Sequence, residues 1–145
     1  MTGTVMEAGW IAIALLLLLA RPALGQEADK MKIRLTIGSK AMEATLLDNA
    51  TARDFLSLLP MTLTLEDYAS TEKIGYPPRK LSTVGAPAGV EPAAGDITYY
   101  APWGNLAIFY KDFGYSDCLV KLGRIDSGME ALSLRGSLTI EPLGK

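Results

Sequence analysis

The sequence contains no histidine and only one cysteine among its 145 residues. Without histidine the chain cannot build a Ser-His-Asp triad, a Cys-His pair or an imidazole metal site. A single cysteine excludes both an internal disulfide and a zinc site made of paired cysteines. The formal net charge of −2 does not supply the dense basic surface that binds nucleic acid. We therefore predict no nucleic-acid partner, no metal and no cofactor.

Long apolar runs are also scarce, and the main one covers the 11 residues at positions 10–20. A membrane-spanning helix needs about 20 apolar residues, whereas this length is typical of a secretory signal peptide. Ala23 and Gly25 place small residues before a cut at Gln26. We predict a signal peptide over residues 1–25, a secreted or periplasmic domain over residues 26–145, and no stable membrane insertion after cleavage. The alternatives are an uncleaved N-terminal anchor or an upstream extension that is not used.

The predicted mature chain consists mainly of short segments in which apolar and polar residues alternate, a pattern typical of half-buried strands. Residues 31–37 and 42–46 predict a hairpin. Asn49 or Thr51 can cap a helix of about ten residues that ends at Pro60. Further strands are predicted over residues 63–65, 97–100, 106–110, 119–125 and 138–140. A single helical turn over residues 126–132 is expected to be capped by Asp126 or Ser127.

The segment over residues 67–96 contains many proline and glycine residues, which interrupt regular structure. We predict a long connection there that contains short strand pieces, especially near Lys73–Tyr76. The seven or eight strands and one clear helix favour a closed or nearly closed β-barrel.

Three segments in this order resemble the bacterial cyclophilin-like domain proteins: RKLSTVGAP at Arg79–Pro87, GDITYYAPWGNLAIFY at Gly95–Tyr110 and LGRIDSGMEAL at Leu122–Leu132. The resemblance covers roughly residues 32–143. It implies a mostly β cyclophilin-like closed barrel of about eight strands with one or two short helices.

The same resemblance raises the question of prolyl isomerase activity. Cyclophilins that catalyse this reaction use an arginine, aromatic residues, a glutamine and a histidine in their pocket. Arg79 could supply the arginine, and Trp103, Phe109 or Phe113 could supply aromatic rings. Because the chain has no histidine and no glutamine after Gln26, catalytic residues stay unassigned and catalysis is not the preferred prediction.

A second group of candidates surrounds one turn of the sequence. Tyr99, Tyr100, Trp103 and Asn105 combine aromatic faces with an amide, which suits a peptide or small ligand. Trp103 could equally close the end of the barrel as part of the core. Arg79 could bind a carboxylate, a phosphate or a peptide carbonyl, or could simply hold a loop in place.

Two other features have simpler interpretations. Asp112 and Asp117 could bind a cation or act as acid and base, but their spacing favours a solvated loop. Cys118 has no basic neighbour in the sequence, so we predict a buried and unreactive thiol.

The preferred prediction is a domain that binds a peptide or small molecule in a pocket on the side of the barrel. A weak peptidyl-prolyl isomerase and a structural protein-interaction domain are the alternatives. The predicted ligand-binding residues are Arg79, Tyr100, Trp103, Asn105, Phe109 and Phe113.

Overall fold

The computed structural model describes residues 31–144, together with Gly3 as an isolated position. Apart from Gly3, the predicted signal peptide therefore lies outside the described residues. The strands of the described part are β1 Lys32–Ile37, β2 Lys40–Leu46, β3 Met61–Thr64, β4 Glu66–Tyr68, β5 Glu72–Gly75, β6 Gly89–Val90, β7 Asp96–Tyr100, β8 Asn105–Phe109, β9 Ser116–Asp117, β10 Leu119–Ser127 and β11 Ser137–Pro142. The helix α1 is Ala50–Ser57, and a 3-10 helix covers Met129–Ser133. No helix within residues 31–144 is long and apolar enough to cross a membrane.

The hairpin of β1 and β2 follows the predicted alternation. Ile33, Leu35 and Ile37 are fully buried on β1, and Met42 and Ala44 are fully buried on β2. Polar residues between them face outward, as the two-residue period of a strand requires.

The helix α1 begins at its predicted cap. The Asn49 side chain accepts a hydrogen bond from the backbone N–H of Ala52 at 2.8 Å, which satisfies one free donor of the first turn. Ala52 and Phe55 are fully buried against the barrel, and Pro60 follows soon after the last turn.

Nine strands form one antiparallel sheet in the order β3-β11-β1-β2-β10-β7-β8-β5-β4, and β6 and β9 form a separate two-stranded ribbon. The two edge strands of the large sheet, β3 and β4, follow each other in the chain with only Leu65 between them. The sheet is thereby a nearly closed barrel, so the predicted fold class is confirmed.

Two glycines allow close contacts within the barrel wall. A side chain at Gly123 would place its Cβ 2.3 Å from the carbonyl oxygen of Thr45 on the paired strand β2. Gly128, which precedes the 3-10 helix, has a φ of +83°, and an added Cβ would lie 2.5 Å from the carbonyl oxygen of Ala41. Larger residues do not fit at either position.

Several sequence predictions need correction. The 3-10 helix begins after Gly128, and no side chain caps it, so neither Asp126 nor Ser127 is its cap. Asp126 instead accepts a hydrogen bond from the Thr45 hydroxyl at 2.6 Å.

Cys118 is exposed and not buried, because its φ of +62° breaks the alternation between β9 and β10. The segment over residues 67–96 contains short strand pieces as predicted: β5 lies near the expected Lys73–Tyr76, and β6 and the end of β4 also fall there.

Candidate functional site

The candidate site lies on the outer face of five neighbouring strands. Residues directly opposite each other on paired strands share a face of the sheet. Tyr68 on β4 pairs with Glu72 on β5, which pairs with Phe109 on β8. Asn105 on β8 pairs with Tyr100 on β7, which pairs with Leu119 on β10. The six side chains on this shared face that line one cavity are Tyr68, Glu72, Phe109, Asn105, Tyr100 and Leu119.

Strand β8 is buried on both faces, which explains its continuous apolar sequence. Leu106 and Ile108 point into the main core of the barrel. Ala107 and Phe109 point outward into a second, smaller apolar cluster with Ile74 and Leu119. This second cluster forms the apolar base beside the cavity.

Loops complete the cavity around this face. Ala69 and Thr71 come from the turn between β4 and β5, and Trp103 comes from the turn between β7 and β8. Phe113 follows β8, and Ser116 and Asp117 come from the β6–β9 ribbon. The cavity is open to solvent and has a volume of about 310 Å³, which lies at the small end of the range for ligand pockets.

Aromatic rings dominate the rim of the cavity. Trp103 makes edge-to-face contacts with Tyr68 and Tyr100, with ring centroids 5.6 Å and 5.5 Å apart. Phe109 and Phe113 form a second pair, with ring centroids 6.3 Å apart. Trp103 and Phe113 are each 50% exposed. Trp103 therefore belongs to an accessible aromatic surface and does not close the barrel as core.

Asn105 is the buried polar residue of the cavity wall. It is 2% exposed, and its Nδ2 donates a hydrogen bond to the carbonyl oxygen of Leu106 at 3.1 Å. That bond fixes which amide atom is the nitrogen. Its Oδ1 is buried and has no hydrogen-bond partner. Within residues 31–144 it is the only buried side-chain nitrogen or oxygen atom in this situation. An unpaired buried acceptor costs roughly 1–3 kcal/mol.

Two carboxyl groups also line the cavity, those of Glu72 and Asp117. Burial raises the pKa of Glu72, because removal from water penalises its charged form. Among the lining residues that the structure describes, none is lysine or arginine. The cavity is thus aromatic, with acceptor groups and negative charge.

The family model described as the Cyclophilin-like family matches residues 35–141. The chain belongs to the cyclophilin-like family. No curated protein matches this cyclophilin-like domain. Its fold is similar to that of a hypothetical protein from Archaeoglobus fulgidus solved in solution, with a TM-score of 0.58 and 17% sequence identity. The similarity covers 81% of this chain and 98% of the archaeal chain, and it bears on the fold alone.

The structure does not bring Arg79 to the aromatic cavity of the cyclophilin-like domain. Its guanidinium donates two hydrogen bonds to the Asp54 carboxylate on α1, at 2.7 Å and 2.9 Å. The backbone N–H of Ser82 donates to the same carboxylate at 2.7 Å. The Arg79 guanidinium, aided by Ser82, lowers the pKa of Asp54 to about 2. Arg79 therefore fastens a loop to the helix, the alternative role that its sequence context allowed.

The acidic residues near Gly114 separate in space. Asp112 accepts a hydrogen bond from the backbone N–H of Ala94 at 2.9 Å, whereas Asp117 lines the cavity.

The Tyr110 hydroxyl donates a hydrogen bond to Asp67 at 2.6 Å, and this carboxylate raises the pKa of Tyr110 to about 12. Within residues 31–144 no group of three or more acidic or cysteine side chains could hold a metal ion.

Five of the six predicted ligand-binding residues line the one cavity, and Arg79 alone lies elsewhere. The sequence interpretation did not include Tyr68 and Glu72 in the site, because β4 was not predicted and β5 was expected only as a short strand near Lys73–Tyr76. Their signal is weak: Tyr68 and Glu72 share a face only through the pairing of two short strands. Whether the cavity binds a ligand stays a prediction.

Proposed function

We propose that this cyclophilin-like domain is a binding module that holds a peptide or small ligand in the aromatic cavity on the outer face of the barrel. The observation that supports the proposal best is the grouping of five aromatic rings around one cavity of about 310 Å³. Three of these side chains, those of Tyr68, Trp103 and Phe113, are 44–50% exposed. Accessible aromatic residues around a cavity are typical of ligand sites.

The aromatic cavity combines apolar surface with polar groups, as a specific ligand site does. The apolar base supplies burial, and the unpaired Oδ1 of Asn105 supplies a directional acceptor. A few polar groups on an apolar wall fix the orientation of a bound molecule. We do not extend the proposal to prolyl isomerisation, because Arg79, the arginine predicted for that role, is hydrogen-bonded to Asp54.

Chemical-shift mapping on the full chain tests the proposal. Short Xaa-Pro peptides and mixtures of small aromatic and aliphatic compounds are added to isotope-labelled protein. We expect the perturbed amides to cluster around Trp103, Asn105 and Phe113. Exchange cross-peaks between cis and trans peptide would additionally reveal isomerase activity, since the uncatalysed reaction takes tens of seconds or longer.

A matched pair of variants shows whether binding uses this cavity. Trp103→Ala should weaken binding of any ligand found at least about tenfold, as expected for an aromatic anchor. Tyr76→Ala removes a ring that is 55% exposed but lies outside the cavity, and it should leave binding unchanged. Equal loss in both variants, or shifts confined to another surface, would contradict the proposal.

A further inference from the structure

We propose that the ligand of the aromatic cavity carries a positively charged group that donates hydrogen bonds, a primary ammonium or a guanidinium, on an apolar body. This inference rests on the proposed function, because it names the ligand class of the same site. Such a group occurs both on small amines and on the lysine and arginine side chains of peptides.

The hydrogen-bonding groups of the cavity are the first reason. Asn105 presents a buried acceptor with no donor. The hydroxyl groups of Thr71 and Ser116 already donate to the backbone carbonyls of Ala69 and Gly114, at 3.0 Å and 3.2 Å, so they offer acceptor lone pairs. The side-chain donors that remain are on Tyr68, Tyr100 and Trp103. The side chains that line the cavity therefore hold more hydrogen-bond acceptors than donors, which favours a ligand that donates.

Charge is the second reason. Glu72 and Asp117 line the cavity, and among the described lining residues no basic side chain opposes them. The basic side chains of β5 and β10 are already paired: Lys73 lies 3.4 Å from Asp67, and Lys121 and Arg124 lie 3.3 Å and 2.9 Å from the buried Asp96. Burial also disfavours the charged form of Glu72, and a bound cation would offset this penalty.

The aromatic rings are the third reason, independent of the other two. The face of an aromatic ring carries negative electrostatic potential and attracts a cation, most strongly for tryptophan. Five rings around one small cavity can therefore surround both the charged group and the apolar body attached to it. A neutral ligand would use the rings without the charge attraction of the carboxylates, and an anion would be repelled by Glu72 and Asp117.

Four benzyl compounds separate these contributions. Benzylammonium has charge and N–H donors, benzyltrimethylammonium has charge without donors, benzyl alcohol has a donor without charge, and benzoate has the opposite charge. Binding is followed by Trp103 fluorescence in the full chain carrying Trp10→Phe, and the site is located by chemical-shift mapping. We expect benzylammonium to bind at least about fivefold more tightly than benzyl alcohol, with benzyltrimethylammonium between them and benzoate weakest.

The capped peptides acetyl-Gly-Lys-Gly-amide and acetyl-Gly-Arg-Gly-amide, compared with acetyl-Gly-Gln-Gly-amide, distinguish the two sources of the cation. Tighter binding of the basic peptides than of benzylammonium would identify a peptide side chain as the occupant. The reverse order would identify a small amine.

Two substitutions of glutamate by glutamine give a matched control. Glu72→Gln should weaken benzylammonium binding about threefold and leave benzyl alcohol binding unchanged. Glu66→Gln, on the exposed strand β4 outside the cavity, should change neither.

The outcomes separate the two proposals. If benzyl alcohol or benzoate binds at the cavity as tightly as benzylammonium, the cation preference is wrong and the binding function stands. If none of the probes perturbs the cavity residues, the proposed function itself is wrong.

Discussion

The two faces of strand β8 are both buried, but they pack against different layers. On the inner face, Leu106 and Ile108 are at most 1% exposed within a continuous apolar core. On the outer face, Asn105 and Phe109 are equally buried, but they lie beside a cavity and one of them keeps an unpaired acceptor. The difference shows that low exposure alone does not separate structural residues from candidate ligand-binding residues.

What differs is the covering layer. The inner face packs against other strands of the same barrel, where close packing leaves no space for a ligand. The outer face is covered by turns and by the β6–β9 ribbon, which leave a gap. Inner positions should therefore control stability, and outer positions should control binding.

The largest effect is expected on the inner face. Ile108→Ala should lower the free energy of unfolding by about 2–5 kcal/mol, because it removes buried methyl groups and leaves a cavity. Urea unfolding measures the change, with Val84→Ala at a 78% exposed position as the control. A loss below about 1 kcal/mol for Ile108→Ala would break the distinction between the two faces.

A smaller effect is expected where the loop at residues 79–82 is tied to α1. Asp54→Asn should lower stability at neutral pH by about 1 kcal/mol, the upper end for a solvent-exposed pair. The pKa of Asp54 is depressed to about 2 in the folded state, so its contribution is present above pH about 4 and is lost as the pH falls to about 2. Unfolding at pH 7 and at pH 2 should show this difference shrink, and an unchanged difference would contradict the role of the ion pair.

The sharpest test of the outer face is Asn105→Leu. An apolar side chain removes the buried acceptor that has no partner, so stability should stay the same or rise by up to about 1 kcal/mol. Ligand binding should fall at the same time, since the directional acceptor is gone. Thermal unfolding and chemical-shift titration of the same variant measure the two effects. A loss of more than about 2 kcal/mol would assign Asn105 to the framework of the barrel.

The smallest stability effect is expected at the rim. Phe113→Ala should change the free energy of unfolding by less than about 0.5 kcal/mol, because the ring is half exposed and mutations at exposed positions are usually mild. Ligand affinity should nevertheless fall, as measured by titration. A large loss of stability would mean that Phe113 holds the loop after β8 in place.

The sequence predicted the fold well where one face of a strand meets water. The alternation at Ile33, Leu35 and Ile37 located β1, and the amide of Asn49 located the start of α1. It was less informative for β4 and β5, which have three and four residues. Strands this short carry little periodicity, and pairing gives them their place, β5 against β8 and β4 against β5.

The residues of the candidate site also differ in how well the sequence predicts them. The residues around Trp103 stand close together in the chain, so local composition was enough to group them. Tyr68 and Glu72 reach the cavity only through strand pairing, which no local pattern reports. Arg79 was misplaced because its partner Asp54 lies 25 residues away in the chain. A guanidinium is drawn to any accessible carboxylate, and sequence spacing does not reveal which one.

The single residue Leu65 between the two edge strands has a consequence for solubility. Exposed strand edges attract strands from other molecules and can start aggregation. Here β3 and β4 are consecutive, and a Cβ at Gly75 on β5 would lie only 3.3 Å from Leu63 and from the carbonyl oxygen of Thr64 on β3. The gap in the barrel wall is therefore too narrow at this point to admit a foreign strand. The path of the chain therefore hinders edge-to-edge association at this point of the barrel wall.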